Sequence, residues 1–374
     1  MKRVIYADNA ATTKLDEAVF DAMKPFLLEE YGNPSQPYSL SRAPKQALRD
    51  ARETIAACIG ALPEEIFFTS GGTESDNWVI KGSAFADDRK RATITTSIEH
   101  HAILHACSAI ERLGYPVAYL SPDAQGIVSG DILQQIITNE TRLTSVMFSN
   151  NEIGTIQPIK ELCAIAHEHG SLFHTDAVQA VGHVPINVNV LGVDFMSASA
   201  HKFNGPKGIG FLYIKKGTSI TTFNDGGTQE HGYRAGTENV AGIVGMAQAL
   251  KDNCAQMDTF HRKMSELEKA LIRTLDESGL DYIRNGARNH VPGNISLSFK
   301  DSDGEMLLHR LDLMGIAIST GSACDSENTQ ISHVIQAIKV PKEYAQGTVR
   351  VSFGKYNTEE DAKVIGHAFA KVLK

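Results

Sequence analysis

Between about residues 60 and 215, short runs rich in β-branched and aromatic residues alternate with amphipathic segments of helix length. No other feature of the chain restricts its fold as tightly. Parallel strands cannot be joined by a tight turn and need a crossover helix, so this alternation favours a mostly parallel sheet covered on both faces. The expected strands are residues 65–69, 92–96, 117–120, 143–149, 172–175, 195–199 and 210–214. Residues 160–169 typify the helices between them: Leu162, Ile165 and Ala166 share a face, and Gly170 supplies the stop. The fold class is therefore α/β, with a large doubly wound, mostly parallel sheet.

At 374 residues the chain exceeds the size at which a single core keeps growing, so two domains are expected. Phe260, Met264, Leu267, Leu271 and Leu275 recur at spacings of three and four, which predicts a long amphipathic helix over 258–278 linking them. Beyond it, apolar runs at 294–299, 316–319 and 348–353 alternate with helical segments, the last starting at the capping pattern Thr358, Glu359, Glu360, Asp361. This predicts a large domain over 15–257 and a small α/β domain formed by 1–14 and 258–374. A net charge of -8 argues against a nucleic-acid surface or an anionic membrane as partner. Five cysteines (Cys58, Cys107, Cys163, Cys254 and Cys324) are scattered, with no pair at metal-ligand or redox-motif spacing, and no signal-peptide core or membrane-length apolar run occurs. The expected setting is a reducing cytoplasm.

In an open α/β sheet, ligands bind beyond the carboxyl ends of the strands, and the chemically unusual residues of this chain collect there. Lys202, in SASAHKFNGPKG, follows an apolar strand-like stretch and precedes a Gly/Pro-rich turn. A lysine beside a turn is ordinarily solvated surface, as Lys207 is expected to be, but a half-buried one has a lowered pKa and can form a Schiff base with an aldehyde cofactor. Asp176 closes another strand and is the type of carboxylate that keeps the pyridine nitrogen of pyridoxal phosphate protonated. FFTSGGTESDN is a strand, two glycines and a helix start at Thr73, where free backbone N–H groups and the helix dipole suit a phosphate; alone, such a glycine pair more often marks a simple turn. His100, Asn151 and Gln179 follow further strands, offering an imidazole to stack and shuttle protons and amides to hold a phenolic oxygen. Ser199, His201 and Thr237 are donors suited to a phosphate cup. His101 and His105 lie one helical turn apart, a metal pair without a third nearby ligand. Cys324 precedes Asp, Ser, Glu, Asn, Thr and Gln, which predicts an exposed thiol on a mobile loop.

Taken together, DNAATT (Asp8 to Thr13), YGNPS, TSGGTESDN, EHHAI, NNEIG, DAVQAVG, SAHKFNGPKGIG, RAGTEN, GSAC and TVRVSFG resemble, in order and over nearly the whole chain, the cysteine desulfurases of the NifS/IscS type. These lie in the class V aminotransferase superfamily of pyridoxal phosphate (PLP) fold type I. The resemblance implies that Lys202 carries the cofactor, His100 stacks on it, and Asp176 and Gln179 bind its pyridine nitrogen and phenolic oxygen. Gly72, Thr73, Ser199, Ala200 and His201 would complete the cofactor site. Thr237 would reach the phosphate of a neighbouring subunit, making the active unit a homodimer. Arg350 and Asn151 would contact the carboxylate of L-cysteine, and Cys324 would take its sulfur as a persulfide, for transfer to an acceptor such as an iron-sulfur scaffold or a tRNA-thiolation enzyme. No intrinsic metal is implied, Cys324 being at most a transient ligand to an iron-sulfur cluster on a scaffold partner. The chain departs from the pattern by ending at Lys374 without the C-terminal tail used to dock such scaffolds, which leaves the acceptor open. It departs again at Gly72, which replaces an alanine, an exchange expected to be mild. A selenocysteine lyase and a non-catalytic sulfur carrier or scaffold are the alternative readings.

Overall fold

The computed structural model describes residues 4–86, 90–321 and 331–374. After a short β1 (Ile5–Tyr6), the chain builds β2 (Ile66–Thr69), β3 (Ala92–Thr96), β4 (Val117–Leu120), β5 (Thr141–Ser145), β6 (Leu172–Asp176), β7 (Phe195–Ser199) and β8 (Gly210–Ile214). These seven form one sheet in the order β2-β8-β7-β6-β5-β3-β4, in which only β8 runs antiparallel to its neighbours. Side chains along a strand alternate between faces, and here both faces are buried. On β7, Phe195 packs with Trp78, Val79 and Leu212 on one face, whereas Met196 joins Phe173, Phe203 and Tyr213 on the other. The sheet is therefore doubly wound, as the alternation predicts.

A second core lies around β9 (Tyr282–Asn285), β10 (Asn294–Phe299), β11 (Ile316–Ala317) and β12 (Thr348–Ser352). The strands order antiparallel as β12-β10-β9, while β1 pairs with β11, so the N-terminus belongs to this second layer. The helix Glu359–Leu373 covers it, started by a complete capping box between Thr358 and Asp361.

The linking helix is longer than the sequence pattern indicates. It runs Val240–Ser278, with Ile243, Met246 and Leu250 in the first core and Met264, Leu267, Leu271 and Leu275 in the second. At 1.5 Å per residue it is about 58 Å long, so one rigid rod joins both cores. Strand β5 is shorter than the apolar run 143–149. Beyond Ser145 the chain stays extended beside β6, with Val146 N–H bonded to His174 and Phe148 N–H to Asp176, but it leaves the regular ladder.

One close approach sets the mouth of the sheet. Gly71, at φ +149°, turns the chain from β2 into the helix Gly72–Ala84, and Gly210 at the start of β8 lies directly beneath it. A methyl group on Gly210 would fall 2.7 Å from Gly71 Cα and 2.4 Å from the Ala198 carbonyl oxygen. Both are backbone atoms and cannot rotate away. Gly210→Ala is therefore expected to cost about 1–3 kcal/mol, the scale of an overpacked core, read as a lower denaturation midpoint. An unchanged midpoint would mean that this turn has slack.

Candidate active site

The carboxyl ends of β2, β3, β6 and β7 open into a cavity of 660 Å³, within the usual range for small-molecule sites. Gly72, Thr73, His100, Asn151, Asp176, Gln179, Ser199, His201, Lys202 and Arg350 all line it. Ala200 does not; it is fully buried in the 3-10 turn Ala200–Lys202 and shapes the backbone behind the wall. Thr237 is exposed and is not among the residues lining this cavity. Cys324 lies outside the described residues.

Lys202 leaves the turn after β7 and points back across the cavity, where its Nζ donates to the carbonyls of Ala10 and Ala11 at 2.7 and 2.8 Å. Gln179 Nε2 donates to the same Ala10 carbonyl at 2.9 Å. Asp176, at the end of β6, accepts the Val178 N–H at 2.9 Å. Burial raises its carboxyl to about 6, against the opposing pull of that hydrogen bond and of Lys202. His100 caps the helix His101–Glu111 by accepting the Ala102 N–H on Nδ1. Burial first, and then the nearby Lys202 charge, lowers its pKa to about 4, so the ring is neutral at physiological pH. His201 is lowered to about 4 by the same two causes, and its Nδ1 lies 3.1 Å from Thr12 Oγ1.

Arg350 projects from β12, only 3% exposed. Its guanidinium pairs with Asp8 at 2.7 Å and donates to the Asn151 carbonyl at 2.9 Å, while its Nε has no hydrogen-bond partner among the described residues. This leaves donor capacity for an anion at the cavity wall. At the opposite end, the first turn of the helix Gly72–Ala84 presents its free N–H groups beside Thr73 and Ser199. A carboxylate there, Glu74, would repel an anion, but Arg234 holds it in a two-point ion pair at 2.8 and 3.1 Å. That pair keeps the helix terminus receptive.

A scan against protein-family models matches residues 5–365 to the family described as Aminotransferase class-V. The chain belongs to that family. It is 51% identical over 363 residues to a protein of Dictyoglomus turgidum named Cysteine desulfurase IscS, covering 96% of this chain and 92% of that protein. Among solved structures, a NifS-like protein superposes with a TM-score of 0.93 at 38% identity, covering 99% of each chain. The structure described as SspA in complex with cysteine matches at 0.83 and 33% identity, over 95% of this chain and 100% of that one.

As a class-V aminotransferase family member, the chain is a PLP-dependent enzyme of fold type I. Its donor set fits the group. An amine, a buried carboxylate, a neutral imidazole and a helix N-terminus surround one cavity, matching the aldehyde, pyridine nitrogen, ring face and phosphate of the cofactor. A methyl group at Gly72 would lie 2.5 Å from Val178 Cγ2, in the space where an alanine side chain would stand. Val178 already fills that space.

Several groups of the site leave little trace in the sequence. The Ala10 and Ala11 carbonyls that hold Lys202 carry no side-chain signal at all. Asp76 is fully buried in the cavity floor, its Oδ1 without a hydrogen-bond partner among the described residues and 3.8 Å from His174 Nε2. Its position one helical turn after Thr73 is the available clue. Burial and the neighbouring Asp176 raise Asp76 well above the usual carboxylate range, and burial raises Glu99 to about 8. Both shifts favour the neutral acid beside Asp176. His333 approaches His101, Nδ1 to Nε2 at 3.4 Å, yet among the described residues no group of three or more His, Cys, Asp or Glu is arranged to hold a metal.

The raised carboxyl of Asp176 has a consequence for the apoprotein. Folded, it keeps its proton to about pH 6, whereas unfolded it ionises near 3.8, so stability drains away as pH rises between these values. Asp176→Asn removes that cost. Thermal melts of the apoprotein should show the variant gaining on wild type from pH 4 to pH 8; a difference that shrinks with pH would contradict the assignment.

Proposed function

We propose that this chain is a cysteine desulfurase, converting L-cysteine to L-alanine while Cys324 takes up the sulfur. The observation that carries this reading is the convergence of Lys202, Asp176, His100 and Arg350 on one cavity in a chain 51% identical to a protein named as such. Bound PLP supplies an electron sink that weakens bonds at the substrate's α and β carbons.

The chain's own residues do the rest. Arg350, whose Nε has no hydrogen-bond partner among the described residues, and Asn151 would bind the substrate carboxylate and so orient the substrate in the cavity. Asp176 would pair with the pyridine nitrogen of bound PLP, and Gln179 would hold its phenolic oxygen. Gly72, Thr73, Ser199 and His201 would hold its phosphate, with Ala200 shaping the turn behind them. Lys202 would carry the cofactor, and its amine would move a proton at the substrate Cα. His100, neutral because its ring is buried beside a cation, would accept and return a proton at the leaving group. The Cys324 thiolate then attacks the substrate sulfur: the S–S bond forms, the C–S bond breaks, and its electron pair stays on carbon, which is protonated to give alanine. Gly321 and His333, either side of the segment that carries Cys324, both line the cavity, which supports this role.

The persulfide then passes to an acceptor protein, either an iron-sulfur scaffold or a tRNA-thiolation enzyme. Thr237, exposed and outside the chain's own cavity lining, supports a homodimer in which it serves the second copy's phosphate. The separate apolar clusters support a large domain over 15–257 and a small one over 1–14 and 258–374, since Ala7 packs with Leu271, Val351 and Phe369. Among the described residues no helix is long and apolar enough to cross a membrane, and we assign the enzyme to the cytoplasm on its scattered free thiols.

Alanine release from L-cysteine and from L-selenocysteine, measured for wild type and Cys324→Ala, tests the reading. Wild type should release alanine from L-cysteine, and the variant should lose that activity by about 100-fold or more, about 2.7 kcal/mol of barrier, while keeping release from selenocysteine. A variant that still processes cysteine at the wild-type rate would overturn the role of Cys324. Activity on selenocysteine alone would make the chain a lyase of that amino acid, and absence of both activities would favour a non-catalytic carrier.

A further inference from the structure

Two cysteines that the reaction does not use meet in the fold. Cys58 stands in the last turn of the helix Arg42–Ile59, and Cys254 lies near the middle of Val240–Ser278, which packs alongside it. Both thiols line one small cavity of 190 Å³, with apolar walls from Val181, Leu250 and Met257. The helices that carry them pack side by side, so both thiols face the same small space. Both are partly exposed, whereas Cys107 and Cys163 are buried.

We propose that Cys58 and Cys254 form a redox-active dithiol that hydrogen peroxide converts into a disulfide bridging the two helices. The cavity has mostly apolar walls and room for a molecule the size of hydrogen peroxide. Cys58 lowers the Cys254 thiol against the opposing effect of burial, while Cys58 itself is raised, so the thiolate of this pair is favoured on Cys254. Cys254 is the attacking sulfur: its thiolate takes one peroxide oxygen, the O–O bond breaks, and hydroxide leaves, giving a sulfenic acid. Cys58 then attacks that sulfur, the S–O bond breaks, and its proton leaves with the hydroxyl as water. Two thiols lose two electrons and one peroxide becomes two waters.

The bridge has a structural effect. Cys58 and Cys254 both pack against the first core, Cys254 on the helix that continues into the second, so the disulfide ties that rod to the larger core. It also closes a long loop of the unfolded chain, the condition under which a cross-link stabilises most. Oxidation would therefore make the enzyme harder to unfold without occupying its active site.

The test treats the holoenzyme with hydrogen peroxide, blocks remaining thiols, and maps peptides under non-reducing conditions. The expected product is a peptide pair joining Cys58 to Cys254, released by dithiothreitol, with a thermal midpoint raised by several degrees. Cys58→Ser and Cys254→Ser should each abolish that rise while leaving cysteine desulfurase activity unchanged. Full alkylation of both thiols after peroxide would overturn the proposal. So would separate oxidation of each to sulfinic acid, or a bridge from either to Cys324 or to a second copy of the chain.

Discussion

The Nζ of Lys202 is held by two carbonyls from the other end of the chain, and the site depends on that contact. Ala10 and Ala11 belong to an N-terminal strap anchored on both sides: Thr13 bonds to the His201 carbonyl next to Lys202, and Asp8 pairs with Arg350 in the second core. The same strap accepts Gln179 through Ala10 and receives the Ser352 N–H on Ala7. One short segment therefore fixes the amine, the amide and the guanidinium relative to one another. Each of the two charge-assisted bonds to the Ala10 and Ala11 carbonyls has a net value of about 1.5–3 kcal/mol.

Burial, rather than pairing, governs the electrostatics of the cavity. Three carboxyls, Asp76, Glu99 and Asp176, lie together out of water, and three buried anions would cost several kcal/mol each. Burial pushes all three toward the protonated form, Glu99 to about 8 and Asp176 to about 6, and Lys202 and the Val178 N–H pull against it at Asp176, which readies that group to meet a pyridinium. The same exclusion of water keeps His100, His174 and His201 neutral. An imidazole held neutral beside an ammonium can accept a proton; a charged one could not. Where a charge had to stay, at Glu74 next to the helix terminus, Arg234 cancels it.

Much of this is legible in the sequence, for reasons that can be stated residue by residue. Strands β3, β7 and β8 fall on the expected residues because strands buried on both faces give dense runs with sharp ends. The site residues stand out because parallel strands carry the residues at their carboxyl ends to one edge of the sheet, so His100, Asp176 and Lys202 had to meet. The apolar stripe understates helix 240–278, since Gly242, Gly245 and the polar stretch near Asp252 interrupt it although the backbone continues. Backbone carbonyls such as those of Ala10 and Ala11 have no side-chain signature, and Asp76 is hidden on a helix face whose partner the sequence does not name. The meeting of Cys58 and Cys254 depends on two helices far apart in sequence packing side by side, which spacing cannot reveal.

The central claim is that Lys202, and no other amine, holds the cofactor. Reducing the holoenzyme with sodium borohydride fixes PLP to its lysine, and peptide mass mapping locates it. The cofactor's mass should appear on the peptide carrying Lys202 alone, and Lys202→Ala should abolish the adduct. An adduct on Lys207 or Lys14, or none on any lysine, would contradict the account.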